Sequence, residues 1–200
     1  MSQPAKKIIF SGMRPPGALH LGNYVGALRN WTRLQDAYRC YFCIVDWHAL
    51  SSEYHDAKAI KGYEHEVVLD WLGAGLDPER VVLVRQSDVQ EHAELHLVLS
   101  MITPLPWVER VPTFKEQLVQ LAEKELNTYG FLGYPVLQTA DIALYRAHVV
   151  PVGEDQAAHL ALAREIIRRF NRYNGEVYPE PQTLLTDVPR LAGTDGRKMS

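Results

Sequence analysis

At 200 residues, with 46% hydrophobic side chains and a formal net charge of −3, the chain has apolar material for one sizeable core and reads as one soluble globular domain. That charge argues against a protein that holds nucleic acid through overall basicity. No stretch reaches the length of about eighteen apolar residues that a membrane span needs, and no signal-peptide core opens the chain, so a cytoplasmic protein without membrane contact is expected.

The run Ile8 to Phe10 is β-branched and aromatic and reads as a buried strand. Leu21, Val25, Leu28 and Trp31, at helical spacing, read as the core face of a helix from Leu19 to Gln35. A strand from Tyr41 to Val45 completes a βαβ unit. A helix from Ala57 to Gly73 then leads through Gly75-Leu-Asp-Pro78 into Val81 to Val84, the continuous apolar run of a parallel strand covered on both faces. Helical stretches from Glu91 to Ile102 and Lys115 to Tyr129, separated by Thr103-Pro-Leu-Pro-Trp107, contain no strand and read as a helical insertion over residues 90–133, whose Trp107, Val108 and Val111, set among charges, offer a self-complementary dimer surface.

The sheet resumes with a helix from Pro135 to Tyr145, Pro135 suiting the first helical position. A strand from Val149 to Val152 follows, then a helix from Glu154 or Asp155 to Arg172, closed by Asn174-Gly175. The tail from Tyr178 to Ser200 reads as a solvated loop with a turn at Asp195-Gly196. The alternation predicts an α/β fold, a Rossmann-like doubly wound parallel sheet with right-handed crossovers. Cys40 and Cys43 form a lone CxxC inside a strand, without the second pair of a zinc site, and read as buried thiols. His92 and His96 lie four apart on a helix, but Glu94 is out of place for HExxH, and they read as surface histidines.

The stretch SGMRPPGALHLGN, Ser11 to Asn23, hands the first strand over to its helix. In open α/β sheets this carboxyl edge is where ligands bind, and a helix beginning near His20 offers free N–H groups and a positive dipole end to an anion. Gly12 and Gly17 imitate the start of a phosphate-binding P-loop, but Ala18-Leu19 stand where Lys and Ser or Thr are needed. GMRPPGALHLGN resembles the HIGH signature of class I aminoacyl-tRNA synthetases, and Lys198-Met199-Ser200 resembles the start of their KMSKS signature. With CYFCIVDWHAL, YPVLQTADIALY and VPVGEDQ, nearly the whole chain is similar to the tryptophanyl branch of that family.

The resemblance implies a HUP-type catalytic domain over residues 1–200, without the C-terminal helical domain that reads the anticodon. It implies ATP-dependent activation of L-tryptophan with Mg²⁺, transfer to tRNA(Trp), and a homodimer. His20 and Lys198 would be catalytic, His20 as a donor to phosphate oxygen. Arg14, Pro15, Pro16, Gly22, Asn23, Gly153, Glu154, Asp155 and Val188 would surround ATP, with Lys198, Met199 and Ser200 on a closing loop. Gln156 would lie near the amino-acid ammonium. No metal site within the protein is expected.

Tyr134, Gln138 and Asp141 fall at i, i+4 and i+7 and share a helix face, either a pocket wall or a solvent-facing stripe. By resemblance they line the tryptophan pocket, with Asp141 accepting the indole N–H, and Phe10, His48, Val150 and Val152 match further pocket positions. His48 equally fits a satisfied interior histidine. Gln138 departs from the Met common in bacterial tryptophanyl enzymes, and Tyr-x-x-x-Gln-x-x-Asp also resembles tyrosyl enzymes. A tyrosyl enzyme and a paralogue without aminoacylation are therefore the alternatives.

Overall fold

The computed structural model describes residues 5–15, 17, 19–111, 126–153 and 156–185. Strand β1 (Ile8–Met13) is followed by a helix over residues 21–34, α1, and by β2 (Arg39–Ile44). Then come α2 (Asp46–Glu53), α3 (Ala57–Gly73) and β3 (Val81–Arg85). Helices α4 (Glu91–Ile102), α5 (Leu105–Glu109) and α6 (Tyr129–Leu144) lead to β4 (Val149–Val152), α7 (Ala157–Asn174) and β5 (Gln182–Leu185). The strands form one parallel sheet in the order β3-β2-β1-β4-β5.

Both faces of this sheet are covered, and the strand sequences show how. Ile9 and Met13 of β1, with Cys40, Phe42 and Ile44 of β2, meet Leu28, Trp31, Val67 and Trp71 of α1 and α3. The intervening Phe10 and Cys43, with Val150 and Val152, meet Ile142 of α6 and Leu160 and Ala163 of α7. Alternate residues feed opposite layers, so a continuous apolar run is what the strands require. Cys40 and Cys43 are both buried free thiols and fall in opposite layers, which prevents them from sharing a metal. Burial pushes both up, Cys40 to about 11. On the first face Trp31 stacks on Phe42 at 4.4 Å and meets Trp71 edge-on at 5.1 Å.

Four sequence expectations are corrected. Leu21 is 61% exposed, because residues Tyr24–Leu28 form a π turn whose extra residue slips the helical phase between Leu21 and the buried Leu28 and Trp31. Helix α6 starts at Tyr129, with the Thr128 hydroxyl accepting from the Phe131 N–H, so Pro135 is interior to the helix rather than at its first position. A helix, α2, follows β2 directly. Within the tail, Gln182–Leu185 forms an edge strand paired with β4. Helix α4 packs on α6 and α7, and Leu99, Val108 and Val111 join Val136, Leu162 and Ile166 in a third apolar cluster. The expected helix from Lys115 lies largely outside the described residues.

Candidate active site

The chain leaves β1 in one direction, toward β2 and β3, and returns to lay β4 on its other side. The order therefore reverses between β1 and β4, and the carboxyl ends at such a reversal are where doubly wound sheets form their ligand crevice. The loop from Arg14 to His20 leaves β1 at this edge, and Gly153 leaves β4 beside it. A Cβ at Gly12 would lie 2.7 Å from Cγ1 of Val45, so glycine fits this turning strand end without displacing the core.

His20 caps α1. Its Nδ1 accepts from the Gly22 N–H at 3.1 Å, and its own backbone N–H donates to Asn23 Oδ1 at 3.1 Å. Because Nδ1 is an acceptor, the ring proton sits on Nε2, which makes that nitrogen a donor. A helix N-terminus and an N–H donor thus stand together at the crevice, an arrangement suited to phosphate oxygens. Arg14 is exposed, reaches Ser52 Oγ of α2 at 3.4 Å, and Pro15 beside it is buried. Gln156 precedes α7, its backbone N–H donating to the Gly153 carbonyl at 3.0 Å.

Asp141 is the centre of the second half of the site. It is 1% exposed, which rules out a solvent-facing stripe. His48 Nε2 donates to Oδ2 at 2.9 Å, while Gln86 Nε2 at 2.8 Å and His92 Nδ1 at 2.7 Å both donate to Oδ1. Burial alone would raise its pKa, but the hydrogen bonds from His48 and His92, with the positive charge that either ring carries when protonated, outweigh it and hold the carboxyl below its ordinary range. Asp141 is therefore a buried anion surrounded by donors, an acceptor for one further N–H or O–H.

Tyr134 lies two turns before Asp141, half-buried, its hydroxyl bonded to His159 Nε2 and its ring 6.3 Å from that of His48. Burial pushes its phenol up to about 12, and the charge of Arg14 opposes that rise, so the loop after β1 and the pocket helix share one field. Gln138 is half-buried on the same helix. Phe10, Val150 and Val152 are buried in the apolar layer beneath. Pro16, Glu154, Asp155, Val188, Lys198, Met199 and Ser200 lie outside the described residues.

His92 is the principal correction. It is not on the surface but 0% exposed, bonded to Asp141 and, through Nε2, to the Tyr145 hydroxyl at 2.9 Å. His96 is half-buried, also against expectation. The available signal was helical phase: His92 lies two turns before Leu99, on the buried stripe of α4. Gln86 and Tyr145 were missed for lack of any local pattern, since the tertiary fold alone brings them to Asp141. A concavity of ≈ 480 Å³ lined by Lys6, Arg39, Arg80 and His148 lies at the opposite, amino edge of the sheet, away from this chemistry.

A family of tRNA synthetases, class I (W and Y), matches residues 3–200. The tryptophan–tRNA ligase of Thermotoga maritima is 54% identical over 193 residues, 96% of this chain and 59% of its own length. A crystal structure of tryptophanyl-tRNA synthetase from Campylobacter jejuni complexed with ADP and tryptophan is 35% identical, with a TM-score of 0.88 over 96% of this chain and 60% of that one. Tyrosyl-tRNA synthetase from Archaeoglobus fulgidus, complexed with L-tyrosine, is 27% identical with a TM-score of 0.81, over 99% of this chain and 59% of that one. The chain thus spans about three-fifths of these relatives. On sequence and on fold, it belongs to the class I tRNA synthetases of the tryptophanyl and tyrosyl type.

Proposed function

We propose that this chain is the catalytic part of a tryptophan–tRNA ligase, cytoplasmic and homodimeric. The substrates are ATP, L-tryptophan and tRNA(Trp). The tryptophan carboxylate oxygen attacks the α-phosphorus of ATP, the bond to the β-phosphate bridging oxygen breaks, and tryptophanyl-adenylate and diphosphate form. Transfer of the tryptophanyl group to the tRNA 3′ end releases AMP. The observation that carries this reading is Asp141, a buried anion with three donors already in place and capacity for one more.

Little covalent work falls to the protein, so its residues position groups and stabilise charge. His20 Nε2–H and the start of α1 face phosphate oxygens, and Arg14 adds an exposed positive charge beside them. Asp141 accepts the indole N–H, while Tyr134, Gln138, His48 and Gln156 enclose the amino acid, Phe10, Val150 and Val152 forming the apolar floor. Asn23, Gly22, Pro15, Pro16, Gly153, Glu154, Asp155 and Val188 surround the nucleotide, and Lys198, Met199 and Ser200 close over it. Mg²⁺ accompanies the phosphates. Among the described residues no three His, Cys, Asp or Glu side chains converge to hold it. Closer relatedness to tryptophan–tRNA ligases than to the tyrosyl structure favours indole over phenol as the ligand.

The test is ATP–diphosphate exchange in the intact protein with each amino acid. Exchange dependent on tryptophan is expected, and Asp141→Ala abolishes it while ATP still binds. Exchange driven by tyrosine alone overturns the substrate assignment, and exchange with neither overturns the enzyme.

A further inference from the structure

The two oxygens of Asp141 are not equivalent. Oδ1 receives two donors, Gln86 Nε2 and His92 Nδ1, whereas Oδ2 receives only His48 Nε2. A carboxylate oxygen has room for two such bonds, so Oδ1 is full and Oδ2 is open. The open side is also the accessible one. Gln86 and His92 are 0% exposed, while His48 retains 9%.

The donors on Oδ1 are themselves fixed. Gln86 Oε1 accepts from the Trp47 N–H at 3.1 Å, which fixes the amide so that Nε2 faces Asp141. His92 donates from Nδ1, so in the singly protonated ring Nε2 accepts from the Tyr145 O–H. Burial, with Cys43 and Asp141 nearby, raises the Tyr145 pKa, which keeps that proton on the phenol. The Tyr145 ring is stacked on Phe10 at 5.1 Å and lies 4.9 Å from Tyr41, so the hydroxyl has little freedom to turn away.

We infer that His92, backed by Tyr145, is a positioning residue that fills Oδ1 of Asp141 and so presents Oδ2 as the acceptor for the N–H of an aromatic amino acid. This rests on the tryptophan reading above. Without the His92 donor, Oδ1 regains a vacant acceptor position and the carboxylate is free to rotate. Recognition of the N–H suffers, while recognition of the ring's shape does not.

That distinction supplies the experiment. Calorimetric dissociation constants are measured on the intact protein for L-tryptophan and for L-3-benzothienylalanine, which has sulfur in place of the indole N–H. Wild type prefers tryptophan. His92→Leu lowers that preference about tenfold with ATP binding retained, because the lost bond serves only the N–H ligand. His92→Asn, whose amide nitrogen stands near the Nδ1 position, keeps the preference within about threefold of wild type. Tyr145→Phe gives an intermediate loss.

Equal weakening of both ligands in His92→Leu, or an unchanged preference there, overturns the positioning role. Should His92→Leu fail to bind ATP, Tyr145→Phe decides, and a wild-type preference in it overturns the role. Asp141→Asn separates this inference from the reading beneath it. If Asp141→Asn loses the preference and neither His92→Leu nor Tyr145→Phe does, the positioning role alone fails. A wild type without preference removes both.

Discussion

His96 sits one turn beyond His92 on α4 and meets a different environment. Its Nδ1 is buried without a hydrogen-bond partner, and burial chiefly holds its pKa below the ordinary 6.5, Asp141 pulling it upward and His48 adding to the depression. A histidine depressed in the folded state binds protons more readily when unfolded. Its contribution to stability is therefore full above the unfolded value and is lost as pH falls through the folded one. The urea midpoint of the wild type should drop as pH falls below the ordinary histidine value of 6.5, and His96→Leu should flatten that decline. Parallel curves for the two proteins would remove His96 from the account. Asp141, also depressed, gives its loss lower, below the ordinary carboxylate value of 3.8, so acid unfolding should show two separable stretches. Asp141 was legible in the sequence because its helix face carried other polar groups. The burial of His92 was legible only through its helical phase with Leu99, and its partner was not legible at all, because nothing local to α4 says that the stripe meets a carboxylate.

At the level of elements, boundaries were legible where the helical period ran between clear breaks, and illegible where the true cap competed with a stronger-looking signal. Ala57–Gly73 and Glu91–Ile102 were recovered to the residue, and Gly175, at φ 84°, ends α7 with a positive φ that glycine adopts freely. Helix α6 shows the reverse. Pro135 drew the start to itself, while Gly130 and Gly133 disguised the preceding turn as a loop. Thr128 is the actual cap, and the Thr139 hydroxyl donates to the Pro135 carbonyl at 2.9 Å within the helix. Thr128→Ala should therefore cost about 1 kcal/mol in chemical denaturation, whereas Thr128→Ser should cost less than half of that. Equal stability of all three proteins would show that the first turn is held by packing. Strand β5 was hidden for another reason: at a sheet edge, with both its ends exposed, it needs no alternating apolar pattern.

For the whole molecule, local patterns gave the parallel sheet and its carboxyl edge, but not the strand order that separates β1 from β4 and makes the crevice. That order depends on which layers cover which apolar side chains, a matter of long-range contacts. The proposed homodimer belongs to the same scale. Val108 and Val111, apolar residues that the sequence offers to a partner, are spent on the chain's own core. Leu97, Val98, Met101 and Leu105 are exposed instead, Met101 at 73%, and the first three share one face of α4 at spacings of three and four. If this face is the dimer contact, a charge placed there should separate the subunits without disturbing either. Met101→Glu exchanges an exposed side chain for another exposed one, so folding loses little, while association requires a carboxylate to be buried in an apolar contact. Light scattering at micromolar concentration should report a dimer for the wild type and a monomer for Met101→Glu. The circular dichroism spectrum should be unchanged. A wild-type monomer, or a Met101→Glu dimer of undiminished affinity, would move the contact away from α4.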